Sequence, residues 1–198
     1  MVCDRIILIR PIYEKESTRG SVMKIQLEKL KLLIFDVDGV MTDGKLIMGP
    51  NGHEQIEFFV LDGAGIHLAK YAGYKIALIT GRNSRIILER ARYLEIEDVY
   101  INQFYKIDAY NELKVKYKLN DDQIAYMGDD ILDIPVMKVV GYAVTVPHAP
   151  LEVKEVADYI TAKQGGNGAV REFVDKLLHE IGVYDDILHR ILVERRGV

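Results

Sequence analysis

Only one cysteine, Cys3, occurs in 198 residues, and tryptophan is absent. A lone cysteine excludes an intramolecular disulfide framework and a cysteine-based zinc site, and it fits a reducing compartment. There is no excess of one charge either. The 26 lysines and arginines face 30 aspartates and glutamates, a formal charge of −4, which offers no footprint for nucleic acid or an anionic membrane. No apolar run reaches the roughly 18–20 residues that span a bilayer. The apolar patch at residues 6–9 is short, is flanked by Arg5, Arg10 and Pro11, and lacks the cleavage site of a signal peptide. The sequence thus predicts a cytoplasmic protein with no nucleic-acid or membrane partner. A small anionic substrate is still compatible, because a local site can oppose the overall sign.

What is present is ordinary for a globular chain: 49% apolar and 28% charged residues, and a length that suits one domain with a substantial core. Residues 1–24 read as an N-terminal extension with a polar middle. Met23 precedes a sufficient start for the domain, so residues 1–22 are predicted to be dispensable. The domain itself is expected over 25–181, followed by a helical tail over 182–198.

The chain is organised around residues 31–44, KLLIFDVDGVMTDG. Leu32, Leu33, Ile34 and Phe35 suit a buried parallel strand, which ends in Asp36, Val37, Asp38 and Gly39. Two carboxylates are costly inside a core but make sense at the C-terminal end of a strand, where open α/β sheets bind ligands. Segments 45–48 and 54–60 read as a β-hairpin with Pro50-Asn51-Gly52 at its tip, and a helix is expected around 66–71. Further strands are expected at 75–80, 98–101, 123–127, 142–146 and 158–161. Helices are expected at 85–94 (capped by Asn83 or Ser84), 106–118, around Pro135 with the proline near the start, 169–181 and 184–195. Residues 165–168 read as a flexible glycine-rich loop. Strands alternating with helices predict a three-layer α/β sandwich with a mostly parallel, Rossmann-like sheet and a protruding hairpin.

Three strand ends carry polar clusters: Asp36 and Asp38; Thr80, Gly81 and Arg82; Asp129 and Asp130, with Asp133 close behind. A parallel sheet gathers these ends at one edge. Carboxylates brought together repel, and a hard cation relieves them; an all-oxygen set suits Mg²⁺ beside a phosphate. Lys106, at a helix start after another strand end, adds a positive charge to the same edge.

These motifs, Asp36-Val37-Asp38-Gly39-Val40 with Thr42-Asp43-Gly44, then Ile79-Thr80-Gly81-Arg82, then Lys106, then Gly128-Asp129-Asp130-Ile131-Leu132-Asp133, resemble in order and spacing those of haloacid dehalogenase superfamily phosphatases. The likeness covers residues 30–181. The DGVxTDG opening, the hairpin, Val60-Leu61-Asp62-Gly63-Ala64-Gly65-Ile66 and Gly165-Gly166-Asn167-Gly168-Ala169-Val170-Arg171-Glu172 together resemble the 3-deoxy-D-manno-octulosonate 8-phosphate phosphatase family. The resemblance implies Asp36 as nucleophile and Asp38 as general acid and base. Mg²⁺ would be held by the Asp36 side chain, the Asp38 backbone carbonyl and Asp129, supported by Asp130 and Asp133. Thr80, the Gly81 N–H and Lys106 would bind the phosphoryl oxygens, with Arg82 and Arg171 as substrate contacts.

No segment between the motifs has room for an inserted cap domain. The capless family that the chain resembles closes its site by forming a homotetramer, with hairpins packed together and C-terminal segments reaching a neighbour; hairpin 45–60 suits that role. Many relatives carry a basic residue at the positions of Leu61 and Asn167, so a related nonulosonate 9-phosphate or another sugar phosphate is an alternative substrate. A tetramerisation module like those fused to sugar nucleotidyltransferases, and a signalling receiver domain, are alternatives from other classes. His53, His67 and His148 are expected at the surface or an interface.

Overall fold

The computed structural model describes residues 26–194. The expected extension over 1–24 and the last residues of the tail lie outside them. In chain order the strands are β1 (Leu32–Phe35), β2 (Ile47–Met48), β3 (Glu54–Gln55), β4 (Lys75–Ile79), β5 (Asp98–Tyr100), β6 (Ile124–Met127), β7 (Tyr142–Thr145) and β8 (Tyr159–Ile160). The helices are α1 (Val60–Tyr71), α2 (Arg85–Tyr93), α3 (Lys106–Tyr117), α4 (Ile134–Met137), α5 (Leu151–Glu155), α6 (Ala169–Glu180) and α7 (Tyr184–Glu194).

Six strands form one sheet in the order β5-β4-β1-β6-β7-β8, and every pairing within it is parallel. β1 lies inside, between β4 and β6, which explains its unbroken apolar run: Leu32, Leu33, Ile34 and Phe35 are all buried. The chain first winds one way from β1 to β4 and β5, then returns across it to β6, β7 and β8. Right-handed crossovers therefore put α1 and α2 on one face and α3, α4 and α5 on the other. α6 returns to pack on α1, and α7 packs on α6. The sequence-predicted sandwich is the observed fold. The reversal of winding falls at the C-terminal end of β1, the place where such sheets leave a crevice.

Three local expectations are corrected. The second hairpin strand ends at Gln55 rather than 60, and α1 begins at Val60, ahead of the predicted 66. Gly63 and Gly65 disguised its first turn, since glycine is a poor helix former. Their reason is close packing: a Cβ on Gly65 would stand 2.9 Å from the Arg171 Cα, and one on Gly63 2.7 Å from Arg90 Nη2. The glycine-rich loop is not a loose lead-in. The Gly166 N–H donates to the Val40 carbonyl (3.0 Å), and a Cβ on Gly165 would meet the Gly39 carbonyl oxygen at 1.7 Å. The loop is wedged beneath the turn that follows β1. The short helix α5 has no counterpart in the sequence expectations.

Candidate active site

Four loops meet at the C-terminal edge of the sheet. The first leaves β1 as a tight turn: the Met41 and Thr42 N–H groups donate to the Val37 carbonyl. Thr42 Oγ1 accepts from the Gly39 and Gly44 N–H groups, both at 3.2 Å. This explains the threonine and the two glycines. Gly39 has φ +80°, and a Cβ there would strike the Asp129 carboxylate, so the turn after β1 and the loop after β6 touch directly.

Asp36 is buried. Its Oδ1 accepts from the Val37 N–H (2.7 Å) and its Oδ2 lies 2.8 Å from Lys106 Nζ. Lys106, the first residue of α3, also reaches Asp133 Oδ1 at 2.6 Å. Asp133 is fully buried and fully engaged: Oδ1 also accepts from the Tyr126 hydroxyl, and Oδ2 accepts from the Asp129 and Asp130 N–H groups at 2.9 and 3.0 Å. It braces the loop that presents Asp129. Oxygens of Asp36, Asp129 and Asp133 all lie within 4.8 Å of one another.

The charges follow from this crowding. Burial, then Asp133, push the Asp36 carboxyl well above its ordinary range, and Lys106 only partly offsets them. Burial and Asp133 likewise push Asp129 up to about 6. Burial pulls the Lys106 ammonium down, but Asp36 and Asp133 outweigh it and hold it above its usual value. Negative charge thus exceeds positive charge in a largely buried cluster of hard oxygen donors. That donor set fits Mg²⁺.

Thr80 directly follows β4, buried, and its Oγ1 accepts the Arg82 N–H at 3.1 Å. Arg82 donates through Nε to Asp38 Oδ2 at 2.9 Å and through Nη1 to Glu54 Oε1. The structure therefore gathers Asp36, Asp38, Thr80, Gly81, Arg82, Lys106, Asp129 and Asp133 at one rim. Two predicted residues stand apart from the cluster. Asp130 is exposed and caps its own turn, accepting from the Ile131 N–H. Arg171 pairs with Asp175 at 2.8 Å on α6, and its backbone N–H donates to the buried Asp62.

Sequence reasoning missed four residues. Glu54 of the hairpin accepts from both Arg82 and Ser84. Ser84 occupies the N-cap position of α2, as expected, but its hydroxyl goes to Glu54 instead of capping. His148 is exposed, as expected of a surface or interface residue, but also places Nε2 3.5 Å from Asp129 Oδ2. Tyr126 alternates within an apolar strand and gave no polar signal. Leu61 and Asn167 line one cavity of about 470 Å³ together with Lys163, Arg171 and Lys176.

A parallel sheet with an acidic pair after its inner strand, an opposed lysine and a threonine at the neighbouring strand end defines a haloacid dehalogenase-like hydrolase; residues 95–173 match the family model of that description. Over 160 residues the chain is 43% identical to the 3-deoxy-D-manno-octulosonate 8-phosphate phosphatase KdsC of Escherichia coli K12, covering 80% of this chain and 85% of that one. It belongs to the 3-deoxy-D-manno-octulosonate 8-phosphate phosphatase family. A crystal structure of the Yersinia pestis phosphatase superposes with a TM-score of 0.80 at 40% identity, over 82% of this chain and 88% of the other. The Moraxella catarrhalis phosphatase, solved with magnesium, phosphate and KDO, superposes with a TM-score of 0.83 at 34% identity, over 86% and 98%.

Proposed function

We propose that the chain hydrolyses 3-deoxy-D-manno-octulosonate 8-phosphate to the free sugar acid and phosphate, with Asp36 as nucleophile. The observation that carries this reading is the buried Asp36–Lys106 contact beside Asp129, at the sheet edge of a chain whose relatives are named for this reaction.

Asp36 and Asp129 would hold Mg²⁺ with the Asp38 carbonyl, since Asp133 is already saturated by protein donors and serves as their brace. The bound ion supplies positive charge that screens the carboxylates and the phosphoryl oxygens. One Asp36 oxygen attacks phosphorus, the ester P–O bond breaks, and the leaving alkoxide takes a proton from Asp38. Asp38 then removes a proton from water, which attacks the aspartyl-phosphate; the bond to Asp36 breaks and phosphate leaves. Thr80 Oγ1 already accepts the Arg82 N–H, so its own proton is free for a phosphoryl oxygen. The Gly81 N–H has no acceptor among the described residues and points to the same use. With the Lys106 ammonium, these donors meet the charge of the transferring group.

The open site needs a cover. Leu46, Ile47 and Met48 of the hairpin are exposed and apolar, which supports a homotetramer assembled through the 45–60 hairpin. Among the described residues no helix is long and apolar enough to cross a membrane; we place the enzyme in the cytoplasm. A nonulosonate 9-phosphate is the second reading, favoured by the uncharged Leu61 and Asn167 sharing one cavity wall. The deciding experiment measures phosphate release from a panel of sugar phosphates, with Mg²⁺ and with chelator. Fastest Mg²⁺-dependent turnover of the octulosonate ester is expected; no release from any sugar phosphate would overturn the reading.

A further inference from the structure

We propose that Glu54, on the hairpin, is a positioning residue of the active site that acts by holding Arg82. The inference rests on the phosphatase reading and adds to it a member from outside the motif loops. Arg82 is largely enclosed, with its side chain 17% exposed, and lies between two carboxylates: Nε faces Asp38 Oδ2 at 2.9 Å and Nη1 faces Glu54 Oε1. Glu54 is itself fixed from the other side, because its Oε2 accepts the hydroxyl of the buried Ser84 at 2.8 Å. Ser84 thereby forgoes the capping bond that its position at the start of α2 would otherwise allow.

The chain of contacts Ser84–Glu54–Arg82–Asp38 joins the start of α2, the hairpin, the loop after β4 and the turn after β1. A guanidinium has five N–H donors in a rigid plane. Two partners fix that plane, and Arg82 Nη2 has no hydrogen-bonding partner among the described residues and is not sealed from solvent. A clamped arginine with unspent donors beside the proton-transfer carboxylate is prepared for the leaving-group side of the substrate. Without Glu54 the guanidinium keeps only its contact with Asp38, and the long side chain must be ordered each time substrate binds. Immobilising one such side chain corresponds to roughly a 3- to 10-fold loss of affinity.

The test compares two substrates. One is the sugar phosphate that the wild-type enzyme turns over fastest; the other is p-nitrophenyl phosphate, whose leaving group needs little protonation and presents no sugar. Glu54→Ala is expected to lower kcat/KM for the sugar ester about tenfold, mostly through KM, while p-nitrophenyl phosphate changes less than twofold. Glu54→Gln, which keeps an acceptor for Arg82, should recover most of the loss. The double variant with Arg82→Ala should be no worse than Arg82→Ala alone. Equal losses on both substrates, or multiplying effects in the double variant, would overturn the proposal. Native mass of each variant shows that the assembly is unchanged. The wild-type substrate panel tests the phosphatase reading separately.

Discussion

The Lys106 ammonium nitrogen stands 2.8 Å from Asp36 Oδ2, with both side chains more than nine-tenths buried. The same nitrogen serves Asp133, and Asp129 has the exposed His148 imidazole 3.5 Å away and the same Lys106 as its opposing charges among the described residues. One lysine cannot balance this group, so the pocket is built to take up further positive charge. Opposed charges at such a site also leave Asp36 ready to react without bulk water around it.

Replacing the proposed nucleophile tests the chemistry directly. Asp36→Asn keeps shape and volume, and it should reduce Mg²⁺-dependent phosphate release by at least about 10³-fold. The circular dichroism spectrum and melting temperature should match the wild type or show slight stabilisation, because a crowded carboxylate is removed.

The metal-free protein should carry a pH signature of Asp129. Its pKa is raised to about 6 by burial and Asp133, so the folded form holds this proton more tightly than the unfolded chain. The stabilisation is complete below the ordinary carboxylate pKa and is lost as pH rises through about 6. In chelator, Asp129→Asn should therefore gain melting temperature over the wild type as pH rises from about 4 to about 7. Mg²⁺ should narrow that gap by stabilising the wild type alone. A difference independent of pH in thermal melts would contradict the assignment.

Gly165→Ala should damage the site from behind. Its Cβ would overlap the Gly39 carbonyl oxygen, which is backbone and cannot swing aside. Overpacking of this kind costs about 1–3 kcal/mol or more. Differential scanning calorimetry should show a melting temperature lower by several degrees, and turnover should fall because the displaced turn carries Asp36 and Asp38.

The proposed assembly has its own test. Met48 is 74% exposed on the hairpin, and Met48→Glu would place a charge on the face proposed to join copies. Light scattering should show a smaller species than the wild type, and kcat/KM for the sugar ester should fall with it. A fully active monomer at nanomolar concentration would rule out the subunit cover.

The sheet was legible because each strand is a short apolar run that stops at a polar cluster, as at Ile79 and Thr80 or Met127 and Gly128. The motif residues were legible because charge at a strand end has few structural uses. What escaped detection depends on tertiary pairing. Glu54 looks like one more acidic residue in a turn-flanking strand until Arg82 and Ser84 are folded onto it. Likewise, α1 begins where two glycines argue against a helix, and only the surfaces of α2 and α6 explain them. Arg171 sits in a suggestive motif, yet Asp175, one helical turn on, takes its guanidinium.

The wedge of Gly165 and Gly166 under the first turn has a bearing on biosynthesis. The turn that carries Asp36 and Asp38 is made long before the glycines on which it rests, because Gly165 and Gly166 follow every residue gathered at the rim. A growing chain that has not yet reached Gly165 would lack the support under that turn, so the pocket should form only once this loop has been added.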